Sequence, residues 1–392
     1  MPCKTFFSLD RLLGMHYLSL CLPPSHRAYC VSRPRSRSFI VVEEPILDVR
    51  DNGAYLVIAL FKRGYTTEKA IRLMARFLRA PASKIGYAGI KDADASTLQY
   101  VTVPLDAADE QALRALISRR ALRIRKGLVV AVRGRSTQGL SPGMLQGNLF
   151  TVVLEPQGHK LLEPLKLLQG SKLVAYYGYQ RFGTKRPNTH VVAYYVLKGS
   201  SGLGLWEAIR STYPDESVSS LAWRLGLGGK LKAPSGLAYE EKLLECIERE
   251  GVFSDCLSTM SFFSRRLLLS AIRSWLFNEY LSARIGEGIS LENKLSGEKI
   301  DSRGRPLAPV PGDIELLEGE AKRLFKKLLG EYNIDYRVLR TTRLYWRPVY
   351  TVVENLKVSM LDNKRIVLKF RLEQGMYGSL VLREIVPSID CL

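Results

Sequence analysis

Strand-type segments stand at both ends of this 392-residue chain with a helical stretch between them, and this arrangement restricts the fold more than any other feature. Ser38 to Glu43 and Tyr55 to Leu60 are β-branched and aromatic runs bounded by turn formers, and similar runs occupy Leu128 to Val132 and Leu149 to Leu154. After residue 344 the alternation returns in Val349 to Val353, Arg365 to Phe370 and Ser379 to Ile385. Between these groups, Ser261 to Ile285 is one long amphipathic pattern, with shorter ones at Tyr239 to Glu250 and Asp313 to Leu329. A β-rich end after a helical middle predicts that the last strands rejoin the first sheet. Residues 1–183 and 344–392 are then one discontinuous domain, and residues 184–343 an insertion. The length is past what one hydrophobic core usually serves, which agrees with two domains.

Charge narrows the partners. With 58 Lys+Arg against 38 Asp+Glu the formal net charge is +20. Such a surface favours a polyanion, because cations that meet phosphates release condensed counterions. Nucleic acid is the leading class. Hydrophobic residues make up 46% of the chain, enough to bury real cores, and no run approaches 18 uninterrupted apolar residues, so neither disorder nor a membrane span is expected. The six cysteines, at 3, 21, 30, 246, 256 and 391, form no CxxC, and only four histidines accompany them, so no metal is expected. Asp10 and Arg11 break the apolar look of the N-terminus where a signal peptide needs its hydrophobic region, which predicts a cytoplasmic protein with reduced thiols. The glycines at 202, 204, 226, 228 and 229 fit no phosphate loop, so no nucleotide cofactor is expected either.

Two basic features precede and follow an unusual segment. From Thr66 to Ala80, Ala70, Leu73, Met74, Phe77 and Leu78 fall at helical spacing while Lys69, Arg72, Arg76 and Arg79 share the opposite face. A second helical pattern from Asp109 leads into Arg119, Arg120, Arg123, Arg125 and Lys126. Between them, Lys84 to Gln99 is small, polar and turn-forming. By composition it is an ordinary connection, or else a loop that presents a carboxylate beside Lys91 as nucleophile or base, and composition leaves both Asp92 and Asp94 open.

The segment Gly86-Tyr87-Ala88-Gly89-Ile90-Lys91-Asp92-Ala93-Asp94-Ala95-Ser96-Thr97-Leu98-Gln99 resembles the signature of the TruD family of tRNA pseudouridine synthases. Further blocks are similar to that family's in the same order: Phe39 to Glu44, Gly147-Asn148-Leu149-Phe150, Tyr176 to Gly183, Ser274 to Arg284, and Gly375 to Glu384. They span nearly the whole chain. Departures lie at Ala93 and Asp94, where relatives carry basic residues, at Ala175 in place of Asn, and at Arg33 in place of Lys.

The resemblance implies an α+β protein. Its catalytic core is a mixed, largely antiparallel sheet flanked by helices, and an inserted α/β TRUD domain interrupts it. It implies isomerisation of a uridine in tRNA, at position 13 of the D-arm, with Asp92 as catalytic residue and no cofactor. Another RNA, another tRNA position, or a noncatalytic RNA-binding protein of the same fold are the alternatives. Because the reacting base must leave its stack, the pocket needs a flat apolar wall and an amide. Phe150 and Asn148 supply these in this reading, with Lys91, Gln180, Arg181 and Phe182 completing the substrate site. A cation should face the catalytic carboxylate, and Arg181, Lys91 or Arg33 could serve. Arg33, Lys69, Arg72, Arg76, Arg79 and Arg123 are expected on RNA phosphates.

Overall fold

A computed structural model describes residues 2–119, 121–158, 162–183, 187–197, 249, 262–340 and 342–392. The chain divides into two compact units. One, the sheet unit, comprises Leu22–Ser171, Val352–Pro387 and Cys391–Leu392; the other, the helical unit, comprises Met1–Cys21, Lys172–Thr351 and Ser388–Asp390. Residues 1–21, 172–183, 344–351 and 388–390 thus group with the middle of the chain.

The sheet unit is built on ten strands: β1 (Tyr29–Val31), β2 (Phe39–Pro45), β3 (Tyr55–Arg63), β4 (Gly86–Tyr87), β5 (Ser96–Pro104), β6 (Ala121–Arg125), β7 (Leu128–Ser136), β8 (Leu145–Pro156), β9 (Glu354–Met360) and β10 (Ile366–Glu373). They lie in the order β9-β10-β8-β2-β5-β3-β7-β6, with β1 pairing on β8 and β4 on β5. The β2–β5 pair is parallel and the rest antiparallel, so the sheet is mixed and largely antiparallel as expected. The late strand β10 pairs with β8 from Gly147↔Glu373 to Leu154↔Ile366, so the end of the chain does complete the first sheet.

One face of the sheet is covered by two helices, α1 (Thr67–Leu78) and α2 (Glu110–Arg119). Leu56, Ile58 and Leu60 of β3 and Val101 and Val103 of β5 pack there against Ala70, Ile71, Met74 and Leu78 of α1 and Leu113 and Leu116 of α2. Thr66 caps α1, its hydroxyl accepting from the Lys69 N–H, and Arg79 ends it in the left-handed conformation at φ 48°.

Two sequence expectations need correction. Ser379 to Ile385 was expected as a strand, but Gly378–Arg383 is a helix, α3, whose six residues are all buried. A short run enclosed on every side loses the alternation that separates strand from helix. The thiols are not all reduced: Cys3 is joined to Cys21 and Cys30 to Cys391, the second bridge tying β1 to the C-terminus. Neither pairing could be read from spacing, because positions 30 and 391 meet only once the last residues return to the sheet unit.

In the helical unit, the expected long helix is present as Phe262–Gly286. Asn278 on it donates to the carbonyls of Leu13 and Tyr177 and accepts from the Tyr177 N–H, while Arg284 forms a fully buried pair with Glu298 at 3.1 Å. The expected helix from Asp313 begins as a single turn at Ile314–Leu316 and runs as a helix over Gly319–Glu331. The pattern at Tyr239 to Glu250 and the glycine clusters lie outside the described residues, Arg249 excepted. Among the described residues no helix is long and apolar enough to cross a membrane.

Candidate active site

Strand register brings the site together. Glu43 of β2 stands directly opposite Asn148 of β8, and Val41 opposite Phe150. Lys62 closes the core face of β3 opposite Thr97 of β5. The loop from Ala88 to Ala95 crosses this end of the sheet unit. It carries Lys91 and Asp92.

Lys91 reaches down between the two cross-strand partners. Its Nζ lies 2.8 Å from Glu43 Oε2 and donates to Asn148 Oδ1 at 2.7 Å. The Glu43 side chain is fully buried and that of Lys91 nearly so. An ion pair this deep makes sense only with its remaining valences met, and the Tyr100 N–H supplies one to Glu43 Oε1 at 3.3 Å. The Lys91 backbone is held as well, its N–H donating to Thr67 Oγ1 at 2.9 Å while the Thr67 hydroxyl lies 3.0 Å from Gln99 Oε1. The first turn of α1 therefore braces the loop.

Asp92 follows immediately. Its Oδ1 accepts the Asp94 N–H at 3.3 Å, a local turn that gives Asp94 a supporting place, and Asp94 itself is exposed. Its Oδ2 is buried, has no hydrogen-bond partner among the described residues, and lies 3.8 Å from Arg35 Nη1. The cation facing Asp92 is thus Arg35, which is not among the three candidates the sequence offered. The Arg35 guanidinium also lies 4.6 Å from the Phe39 ring centroid. Burial lowers its pKa, and the Asp92 and Asp94 carboxylates oppose that shift. Alternation could not reveal it, since residues 35–38 form a single short helical turn at the entrance to β2.

Lys62 was not singled out from sequence. Its side chain is fully buried, and its Nζ donates to the carbonyls of Asp92 at 2.6 Å and Lys91 at 3.1 Å, clamping the backbone on both sides of the Lys91–Asp92 peptide. Burial lowers its pKa to about 8, the Asp92 carboxylate opposing and Lys91 adding to the shift. The folded state therefore gives up this proton below the ordinary lysine value of 10.5. Below about pH 8 the charged Lys62 opposes folding in full, and that cost fades as pH rises towards 10.5. A 13C NMR titration of the lysine side chains should show one resonance, absent from Lys62→Met, that titrates near pH 8.

Phe150 sits within an aromatic cluster. Its ring stacks on Phe370 at 5.0 Å between centroids and meets Phe39 edge-on at 6.0 Å. Gly378, at the start of α3, comes so close that a Cβ there would lie 2.7 Å from the Phe150 ring. Only 5% of Phe150 is exposed.

Gln180, Arg181 and Phe182 belong to the helical unit. Phe182 is fully buried against His190, Arg181 donates from Nε to Ser274 Oγ at 2.8 Å and is bonded to Ser270, and Gln180 is half-buried. On the sheet unit, Lys69, Arg72, Arg76 and Arg79 all point outward from α1, with Arg72 paired to Glu68 and Arg79 3.6 Å from Asp109. Arg33 and Arg123 are exposed too, Arg123 on the edge strand β6. Arg120 lies outside the described residues.

A carboxylate with one oxygen buried, a guanidinium beside it and an aromatic cluster on the same sheet accompany a sequence match that places the chain among the pseudouridine synthases. The family described as tRNA pseudouridine synthase D (TruD) matches residues 25–307, and the chain belongs to it. A protein of Methanopyrus kandleri called "Probable tRNA pseudouridine synthase D" is 31% identical over 360 residues, 86% of each chain. A protein of the same description from Saccharolobus solfataricus is 30% identical over 90% of each. The crystal structure of the putative tRNA pseudouridine synthase D from Methanosarcina mazei has the same fold, with a TM-score of 0.68, 22% identity, and coverage of 96% of this chain and 98% of that one.

Proposed function

We propose that the protein converts a uridine of tRNA, with uridine 13 of the D-arm as first candidate, into pseudouridine, and that Asp92 is the reacting carboxylate. The observation that carries this reading is the Asp92 Oδ2 atom, buried with no hydrogen-bond partner among the described residues, 3.8 Å from Arg35, on a loop anchored through Lys62, Thr67 and Glu43. In the reaction the bond from ribose C1′ to uracil N1 breaks, the base turns, and C1′ bonds to C5; the proton leaves C5 and N1 gains one. A carboxylate that acts covalently at a glycosidic carbon or at the base suffices for this sequence without redox change. Arg35 favours the charged carboxylate, and the anchors keep it where an extruded nucleotide must arrive.

Lys91 and Asn148 then act by fixing the catalytic loop through Glu43, and Phe39, Phe150 and Phe370 form the apolar floor beneath the base. Mapping pseudouridine in total RNA from cells with and without the protein is the direct test. Loss of the modification at tRNA position 13 is expected; loss only at other sites reassigns the substrate, and no loss anywhere defeats the reading.

RNA affinity should carry a salt signature. Arg33, Lys69, Arg72, Arg76, Arg79 and Arg123 are offered to phosphates, and each contact adds roughly 0.7 to 0.9 to the magnitude of the log-log salt slope. Replacing Arg72, Arg76 and Arg79 together with glutamine should weaken binding to all tRNAs alike and cut the slope by about one unit per lost contact. An unchanged slope in filter-binding titrations would show that this helix face is merely solvated.

A further inference from the structure

Ile90 is an apolar side chain placed in water at the reaction centre. It is 73% exposed, between Gly89 and the buried Lys91, two residues before Asp92. Single exposed isoleucines are ordinary on protein surfaces. This one differs in its mounting and its place. The residue that follows it is fixed through both backbone and side chain, by Thr67 to its N–H, by Lys62 to its carbonyl, and by Glu43 and Asn148 to its ammonium. At no more than about 3.6 Å per residue, the Ile90 Cα lies within about 7 Å of that of Asp92. A rigid platform therefore holds a branched apolar tip beside the one carboxylate that must meet an extruded base.

Extrusion leaves a gap in the RNA stack, and a gap filled with water costs the stacking that the neighbouring bases lose. Proteins that unstack nucleic acid meet this cost by inserting an apolar side chain at the opened step. From this placement, and resting on the function proposed for the site, we propose that Ile90 is the wedge that occupies the place of the reacting uridine in the RNA stack. The side chain touches substrate but takes no part in bond making. Its contribution should appear only where the uridine is stacked to begin with.

The experiment compares two RNAs: a folded tRNA transcript containing the uridine identified by mapping, and a short unstructured oligonucleotide of the same local sequence. Single-turnover rates are measured for the parent, Ile90→Ala, Ile90→Met and, as an inactive control, Asp92→Asn. Because the side chain is exposed, the Ile90 variants should fold as the parent does. Ile90→Ala should lose about tenfold or more on folded tRNA and less than about twofold on the oligonucleotide, while Ile90→Met stays near the parent on both. Equal losses on the two RNAs, a greater loss on the oligonucleotide, or no loss on either would overturn the wedge. A parent that makes no pseudouridine in either RNA would instead defeat the functional reading, and the wedge with it.

Discussion

Replacing Asp92 with asparagine should reduce pseudouridine formation by at least about a thousandfold while tRNA binding changes by less than about threefold. The two readouts separate because the carboxylate is one group on an anchored loop, whereas affinity in the proposed reading is spread over surface cations. Asn fits the same space and keeps the carbonyl that accepts the Asp94 N–H, so the loop should survive. Asp94→Asn, altering an exposed side chain, should stay within a few-fold of the parent. Tritium release from 5-tritiated uridine in tRNA measures the reaction, and gel-shift titration the binding. An active Asp92→Asn enzyme would remove Asp92 from the chemistry.

The largest effect on stability should come from Glu43. Glu43→Ala leaves the Lys91 ammonium in a nearly closed site with Asn148 as its remaining side-chain partner. Breaking a buried pair from one side costs about 3–5 kcal/mol, because the surviving charge has neither water nor counterion. Replacing both residues, as Glu43→Leu with Lys91→Met, should recover a good part of that loss, since no stranded charge remains. Urea unfolding of the two single variants and the double variant reads this directly. If the double variant were less stable than Glu43→Ala by the full cost of the second substitution, the pair would not be coupled. Activity should not return with stability, because in the double variant nothing ties the loop to β2 and β8.

Much of this was legible in the sequence, for reasons that differ between residues. β-branched and aromatic runs bounded by turn formers located β2, β3 and most of β8, and helical spacing located α1 and the long helix of the other unit. The insertion of a late strand into the first sheet followed from the placement of the strand patterns. Register was not legible. Nothing in the order of residues says that Glu43 stands opposite Asn148, so the network around Lys91 could be seen only when the strands were paired. Lys62 was hidden in another way: a lysine at the end of an apolar strand face reads as the point where the chain emerges into solvent, yet it stays inside because two carbonyls receive its ammonium. Arg35 was concealed among three neighbouring arginines of equal appearance, of which a short turn selects one to face Asp92. Phe150 illustrates the limit of motif reading. Its block was recognisable, but its enclosure by Phe39, Phe370 and the close approach of Gly378 was not.

The position of β10 between β9 and β8 has a consequence for biosynthesis. Strand β8 emerges from the ribosome with β2 ready to pair along one side, but its partner on the other side is not translated until the whole middle of the chain has been made. Until residue 373 clears the exit tunnel, the nascent sheet has an open edge running from Gly147 to Leu154, and Phe150 has no ring stacked upon it. The nascent protein cannot hide that edge until β10 has joined β8.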